Sequence, residues 1–229
     1  MKHPIGSRLL SAAGFVRQGA YFADVGTDHA YLPLFLLSSG VIERAVCSDV
    51  NEGPLASAKS NAEEAGFSEK MIFMLTDGAT ALSGLGATDY AICGMGGELI
   101  ADIIDRSPHL CDENINLILQ PMTRHGELRR YLSENGFRIL AESHSYEAGK
   151  YYVCINARYT GESRTLADLE AELGELDPRV EFSPEKRGYV EARLRAIKKA
   201  RDGKLKGGSS AAYENAILDE YQRLFMKGK

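Results

Sequence analysis

The stretch Phe22-Ala-Asp-Val-Gly-Thr-Asp-His-Ala-Tyr-Leu-Pro33 constrains this chain more than any other. An apolar run ends in acids, turns at Gly26 and leads through Asp28 into a leucine-rich segment, the pattern of a strand feeding a helix. A second apolar run, Arg44 to Val50, carries Asp49 at its end, twenty-five residues after Asp24. Strand, glycine turn, helix and acidic strand end make a βαβ unit that holds a ribose.

The loop chemistry narrows the choice of nucleoside. A dinucleotide site brings pyrophosphate onto a helix N-terminus through G-x-G-x-x-G and needs bare backbone N–H groups there. Here the loop reads Gly26-Thr-Asp28-His-Ala30, with an aspartate where the second glycine belongs. Asp24 adds another carboxylate, and two carboxylates a few ångströms from a pyrophosphate repel it. S-adenosylmethionine has no phosphate and carries a sulfonium and an ammonium, so the acidic loop favours it over NAD. The same residues also suit a plain glycine turn with Asp28 as a helix cap.

The remaining residues up to position 160 alternate strands with helices. Met1 to Gln18 reads as a leading helix, with Leu9, Leu10, Ala13 and Val16 at helical spacing; Arg8 and Arg17 reach solvent or substrate, solvent being the plainer reading. Strands are expected over Ala20 to Val25, Arg44 to Val50, Met71 to Leu75, Thr88 to Cys93, Asn116 to Leu119, Phe137 to Ala141 and Tyr151 to Ala157. Helices are expected over Asp28 to Ser39, Glu52 to Ala65, Glu98 to Asp105 and Arg124 to Asn135, with Gly66 and Gly136 as stops. Gly94-Met-Gly-Gly97 follows the fourth strand as a loop at its carboxyl end, where ligands of open α/β sheets bind. Asp77-Gly78 ends the third strand and meets an adenine edge or makes an ordinary turn. The pattern is a largely parallel, doubly wound sheet with a closing strand pair.

Composition excludes several classes. The 229 residues are 44% hydrophobic, enough for a sizeable core, and no apolar run reaches membrane-spanning length. Cys47, Cys93, Cys111 and Cys154 are scattered without C-x-x-C, which reads as reduced thiols of a cytoplasmic protein with no metal site. The net charge of −5 hides an asymmetry: the excess acid lies in residues 1–160, whereas residues 161–229 are slightly basic.

Three motifs together, Asp24-Val-Gly-Thr-Asp-His-Ala-Tyr-Leu-Pro33, Ala91-Ile-Cys-Gly-Met-Gly-Gly97 and Leu117-Ile-Leu-Gln-Pro121, resemble the bacterial TrmK family. These are tRNA (adenine(22)-N1)-methyltransferases of class I, and the resemblance spans about residues 5–160. It implies a Rossmann-like seven-stranded sheet, S-adenosylmethionine as cofactor, tRNA as partner and a C-terminal α-helical, coiled-coil-like domain. It implies that Asp24, Gly26, Asp28, Asp49, Val50, Asp77, Gly78 and Gly94 bind the cofactor. Met95, Gly96, Gly97, Gln120 and Pro121 are then expected to meet the substrate. The family's Gln-Pro-Asn after the fifth strand reads Gln120-Pro121-Met122 here.

N1 of adenine has an in-plane lone pair that attacks a sulfonium methyl directly, so catalysis is mainly positioning. The product is cationic, and a nearby carboxylate stabilises it or accepts a proton from N6. Asp28 is the first candidate, with His29 and Tyr31 beside it. A histidine satisfied by backbone and a packing tyrosine are the plainer readings of those two. N1 lies on the Watson–Crick edge, so the base is expected to be extruded, with Gly94 to Gly97 leaving room for it.

Residues 161–229 read as helices. Leu166, Leu169, Leu173 and Leu176 mark an acidic helix, and Ser183-Pro184 caps and opens another. Val190, Leu194 and Ile197, then Tyr213, Ile217, Tyr221 and Leu224, give two apolar seams joined by a connector over Gly203 to Ser210, an antiparallel hairpin. Between Lys186 and Lys206 there are nine Lys+Arg and two Asp+Glu. Arg193, Lys198, Lys199 and Arg201 are thus expected to contact tRNA phosphate, against a solvated face as the plainer reading. Two rival functions remain: the same fold acting on a small molecule or protein, and a non-catalytic binding module. The sequence leaves the oligomeric state open.

Overall fold

The computed structural model describes residues 5–225. The chain runs α1 (Ser7–Ala13), β1 (Tyr21–Val25), α2 (Tyr31–Ser38), β2 (Arg44–Asp49), α3 (Glu52–Ala65), β3 (Met71–Leu75), β4 (Asp89–Gly96), α4 (Gly97–Asp105) and β5 (Asn116–Thr123). It continues through α5 (His125–Glu134), β6 (Phe137–Glu147), β7 (Lys150–Tyr159), α6 (Asp168–Leu173), α7 (Pro184–Lys206) and α8 (Ala212–Phe225). The leading helix is shorter than expected, and residues 1–4 of that expectation lie outside the described residues.

The seven strands form one sheet in the order β3-β2-β1-β4-β5-β7-β6. β1 pairs in parallel with both β2 and β4, and β7 runs antiparallel between β5 and β6. The chain therefore turns outward from β1 in both directions, which opens a crevice at the carboxyl ends of β1 and β4. All five residues of β1 are buried, as a strand covered on both faces requires. Phe22 packs with Leu34, Leu36, Ala45 and Cys47 on one face, while Tyr21, Ala23 and Val25 pack with Ile92, Ile100 and Leu119 on the other. Alternating side-chain direction along each strand builds these two cores.

Helices α6, α7 and α8 share the second core rather than standing apart: Leu169, Leu173, Tyr189, Ile197 and Ile217 are buried with the strand residues. A Cβ on Gly188 would lie 2.1 Å from the Tyr151 ring, so only glycine lets α7 lie this close to β7. Ser183 caps α7 as expected, its Oγ accepting from the Lys186 N–H at 3.1 Å. The expected connector over Gly203 to Ser210 is smaller, because α7 continues through Gly203 to Lys206.

Candidate functional site

The acids of the first motif converge at the carboxyl ends of β1 and β2. Gly26 adopts φ +79°, and its N–H, like that of Thr27, donates to the Ser48 carbonyl at 2.8 Å. The positive φ is what requires glycine here, and the Met95 methyl fills the place where a Cβ would stand, 2.0 Å away. Asp24 is 8% exposed and accepts from Thr27 Oγ1 at 2.6 Å. Burial, only partly offset by that bond and reinforced by the charge of Asp49, pushes its carboxyl up to about 6. Asp49 Oδ1 accepts from the Asn51 N–H at 2.8 Å.

The helix expected from Asp28 begins three residues later. Ala30 is in the left-handed region at φ 56° and occupies the position before α2, so Asp28 is not a helix cap. Residues 27–30 instead form a raised loop, tied down where Asn61 Nδ2 donates to the His29 carbonyl at 2.9 Å. The Asp28 side chain is 78% exposed, with His29 Nε2 3.5 Å from its Oδ1. The His29 and Tyr31 rings stack at 5.1 Å between centroids. Carboxylate, imidazole and phenol thus stand together at the mouth of the crevice.

Gly94-Met-Gly is not a loop. β4 runs on to Gly96, with register shifts against β5 at Cys93, Met95 and Gly96. Such irregularities re-aim side chains at the rims of sheets. α4 starts at Gly97, where a Cβ would meet the Arg124 and Thr123 carbonyl oxygens at 2.4 and 3.0 Å.

Gln120 and Pro121 are corrected. Both are buried within β5, which extends to Thr123. Gln120 is 0% exposed: its Oε1 accepts from Arg8 Nη1 at 2.7 Å and from the Gly94 N–H at 3.1 Å, while Nε2 donates to the Pro121 carbonyl at 3.1 Å. Its amide is spent joining α1, β4 and β5 and has no group left for a substrate. Arg8, expected to reach solvent or substrate, is half-buried against this bracket. Arg17 is corrected as well: its guanidinium holds the buried Asp89 and the Thr88 and Asn114 carbonyls at the opposite end of the sheet.

Farther out, Asp77 pairs with Arg106 at 3.0 Å and Gly78 turns at φ 70°. Val50 is exposed beside Asp49. In α7, Arg193 is corrected: it is bound to Glu172 of α6 and mostly covered, so it ties helix to helix. Arg201 pairs with Asp202, while Lys198 and Lys199 are exposed. A further polar hub escaped the sequence reading. Tyr189 Oη lies 2.9 Å from His125 Nδ1 and 3.2 Å from Arg129 Nη2. Burial, aided by the charges of Arg193 and Arg129, holds the His125 ring neutral, down at about 3. No local spacing pairs residues 64 positions apart.

Among the described residues no cluster of His, Cys, Asp and Glu is placed to hold a metal, and no helix is long and apolar enough to cross a membrane. A cleft lined by Phe137, Leu166, Glu170 and Leu224 is formed by other residues than Asp24, Asp28 and Asp49.

Sheet order, glycine turn and paired acidic strand ends define a Rossmann-like methyltransferase domain. The chain matches the methyltransferase-domain family over residues 5–155. It is 34% identical to the Streptococcus pneumoniae protein Sp1610, a putative tRNA (m1A22) methyltransferase solved with S-adenosyl-L-methionine; the match covers 94% of this chain and all of that one, with a TM-score of 0.80. A Streptococcus agalactiae protein of the NADB-Rossmann superfamily superposes with a TM-score of 0.83 at 31% identity, over 97% of this chain and 98% of the other. The Bacillus subtilis tRNA (adenine(22)-N(1))-methyltransferase is 31% identical over 153 residues, 67% of this chain, and the match spans 64% of that enzyme's length. The chain belongs to the TrmK family of methyltransferases.

Proposed function

We propose that this chain transfers the methyl group of S-adenosylmethionine to N1 of adenine 22 in tRNA. The observation that carries the reading is the near-complete likeness to the streptococcal protein solved with that cofactor, on a site whose acids suit a cationic ligand and repel a pyrophosphate. The residues fit the cofactor. Gly26 makes the tight turn after β1 at φ +79°, Asp49 has a second oxygen for ribose hydroxyls, and Asp24 is a carboxyl that a neighbouring cation would ionise. Asp77, Gly78, Val50 and Gly94 would complete the cofactor side. When bound, the cofactor supplies an electrophilic methyl on a sulfonium.

The protein's own part is alignment. Met95, Gly96 and Gly97 would leave room for an extruded adenine beside the bulged end of β4. Asp28, oriented by His29, would stabilise the cationic N1-methyl product or take the N6 proton, and Tyr31 backs the imidazole. Residues 1–160 would form the catalytic domain and residues 161–229 a helical arm, with Lys198, Lys199 and Arg201 against tRNA phosphate. The setting is cytoplasmic, where tRNA is.

The test uses purified protein, labelled cofactor and unmodified tRNA transcripts, with the modified nucleotide mapped by mass spectrometry. Label on N1 of adenine 22 is the expected result. Cofactor binding without transfer to tRNA would sink the assignment and favour a small-molecule or protein acceptor on the same fold. In the same assay, reversing Lys198, Lys199 and Arg201 to Glu is expected to weaken tRNA binding and flatten its salt dependence while sparing cofactor affinity. Unchanged tRNA affinity would rule out the arm.

Cofactor affinity should also depend on pH with a definite sign. Below about 6 the Asp24 carboxyl of the free protein holds its proton, and a bound cation favours the carboxylate. Binding therefore releases a proton in that range. Affinity is expected to rise by up to roughly tenfold per pH unit toward 6 and then level off. Calorimetry between pH 5 and 8, in buffers of different ionisation enthalpy, measures both the affinity and the proton; a flat profile with no proton released would remove Asp24 from the binding step.

A further inference from the structure

We propose that Tyr146, at the tip of the β6–β7 hairpin, stacks on an unpaired base of the RNA substrate, an inference that rests on the tRNA reading above. At 53% exposed, it presents more of itself to solvent than any other Tyr or Phe among the described residues. The hairpin holds it there. Ala148 at φ 48° and Gly149 at φ 80° make a two-residue turn, and the register pairs Glu147 with Lys150 and Tyr146 with Tyr151. Directly opposed residues share a face of the hairpin, and the two rings lie 4.7 Å apart between centroids. Tyr151 rests in turn on α7, its ring filling the place that a side chain at Gly188 would take. α1 braces the main chain, where Ser7 Oγ donates to the Tyr146 carbonyl at 2.8 Å. Tyr151 thus backs the Tyr146 ring, and the remainder of that ring faces solvent.

The tip stands at the catalytic end of the sheet. β7 pairs with β5 as far as Leu119 and Ile155; four residues further along that antiparallel register, Thr123 at the end of β5 is level with Tyr151. The turn therefore lies past the carboxyl end of β5. Two consecutive residues of α1 span the gap to the crevice: Ser7 bonds the Tyr146 carbonyl, and Arg8 reaches Gln120 and stands beside Gly94. The ring is thus within a few nucleotides of the crevice. Beyond Tyr151, the face of α7 that begins at Gly188 continues through Ala192 to Arg195 and Lys199, at steps of four, three and four. Both cations are exposed, and Arg195 has only a loose pair with Glu191 at 3.8 Å. Glu147, the acid of the tip, is taken by the Arg8 N–H and Ser7 Oγ, while Lys150 opposite it is exposed. An aromatic ring set between a crevice and a basic helix face has the makeup of a single-strand RNA site, where rings take bases and cations take phosphates. Extruding the target adenine leaves its neighbours without a stacking partner. A ring already fixed in place supplies one at little cost in ordering.

Binding of unmodified tRNA transcript to the full-length protein, measured over a range of salt concentrations, tests this. Tyr146→Ala is expected to weaken tRNA binding about 5- to 100-fold. The slope of log Kd against log salt is expected to stay as it is, because a stacked ring neutralises no phosphate. Cofactor affinity is expected to hold. Tyr146→Phe and Tyr146→Trp are expected to bind tRNA as the parent does, since each keeps a ring. Tyr146→Thr removes the ring, suits a strand and serves if the alanine variant does not fold. Unchanged tRNA affinity without the ring would overturn the proposal. Equal weakening by Tyr146→Phe would overturn it too, by making the contact a hydroxyl bond. Parallel loss of tRNA and cofactor affinity would overturn it in favour of a brace for α1. If the unaltered protein binds the cofactor and no tRNA, it is the tRNA reading itself that fails, and this inference with it.

Discussion

Arg129→Met is expected to destabilise the fold by about 3–5 kcal/mol, read as a fall in the urea midpoint at constant slope. Arg129 is 1% exposed and forks onto both oxygens of Glu142, which is 11% exposed. It also donates to the Ala171 and Glu172 carbonyls and to Tyr189 Oη. Five acceptors from β6, α6 and α7 therefore converge on one cation. Removing it leaves a buried carboxylate and several carbonyls without donors, and that desolvation cost exceeds the value of the pair itself. The double change Arg129→Met with Glu142→Leu should recover much of the loss, because the orphaned charge goes too. A single-variant loss under about 1 kcal/mol would mean that water reaches the hub. Gly174 belongs to the same device: a Cβ there would stand 2.2 Å from Glu142 Oε2, so the turn after α6 makes room for the carboxylate.

Gly97→Ala carries the second large effect. The backbone of Gly97 is not in the left-handed region, so an alanine meets no torsional barrier, and the whole cost is contact. Its Cβ would lie 2.4 Å from the Arg124 carbonyl oxygen, and Arg124 is itself held at φ 55°. Main chain cannot swing aside as a flexible side chain can. A cost of about 1–3 kcal/mol is expected, together with loss of methyl transfer as the start of α4 and the β5–α5 turn separate. Gly53→Ala is the control: nothing lies within 4 Å of its Cβ, and α3 should gain about 0.5–1 kcal/mol. Equal melting temperatures for the Gly97 variant and the parent would show that the two turns are not in register as described.

The sequence was most legible where punctuation is local. α3 and β3 fall where Asn51, Pro54 and Gly66 set their limits, and β2 ends one residue short of the expected place. The acidic strand ends followed, because Asp24 and Asp49 are fixed by strand length alone. Legibility failed where distant partners decide. The turn before α2 opens because Ala30 is held left-handed. β4 and β5 run on through Gly94 and Pro121, residues that ordinarily stop a strand, because each strand supplies the other's edge across a shifted register. β6 has 11 residues and is more than twice the expected length, its far half, Glu142 to Glu147, being largely polar and without an apolar signal, whereas β7 gains only Lys150, Arg158 and Tyr159. The Gln-Pro motif after the fifth strand points to Gln120 by resemblance alone, and the partner that occupies it, Arg8, is 112 residues away. Arg193 was chosen as one charge in a basic run, and the acid that claims it lies in a different helix.

The seating of α1 bears on how the chain is made. Ser7 Oγ donates to the Tyr146 carbonyl at 2.8 Å and the Arg8 N–H donates to Glu147, contacts that span 139 residues. During synthesis the first helix can rest on α2 and β5, but it lacks these hydrogen bonds until the β6–β7 hairpin has been translated. Closing so long a loop is entropically slow compared with pairing neighbouring strands. The start of α1 is thus fixed late, and a chain still attached to the ribosome can pair β1 to β5 before the end of its first helix is pinned.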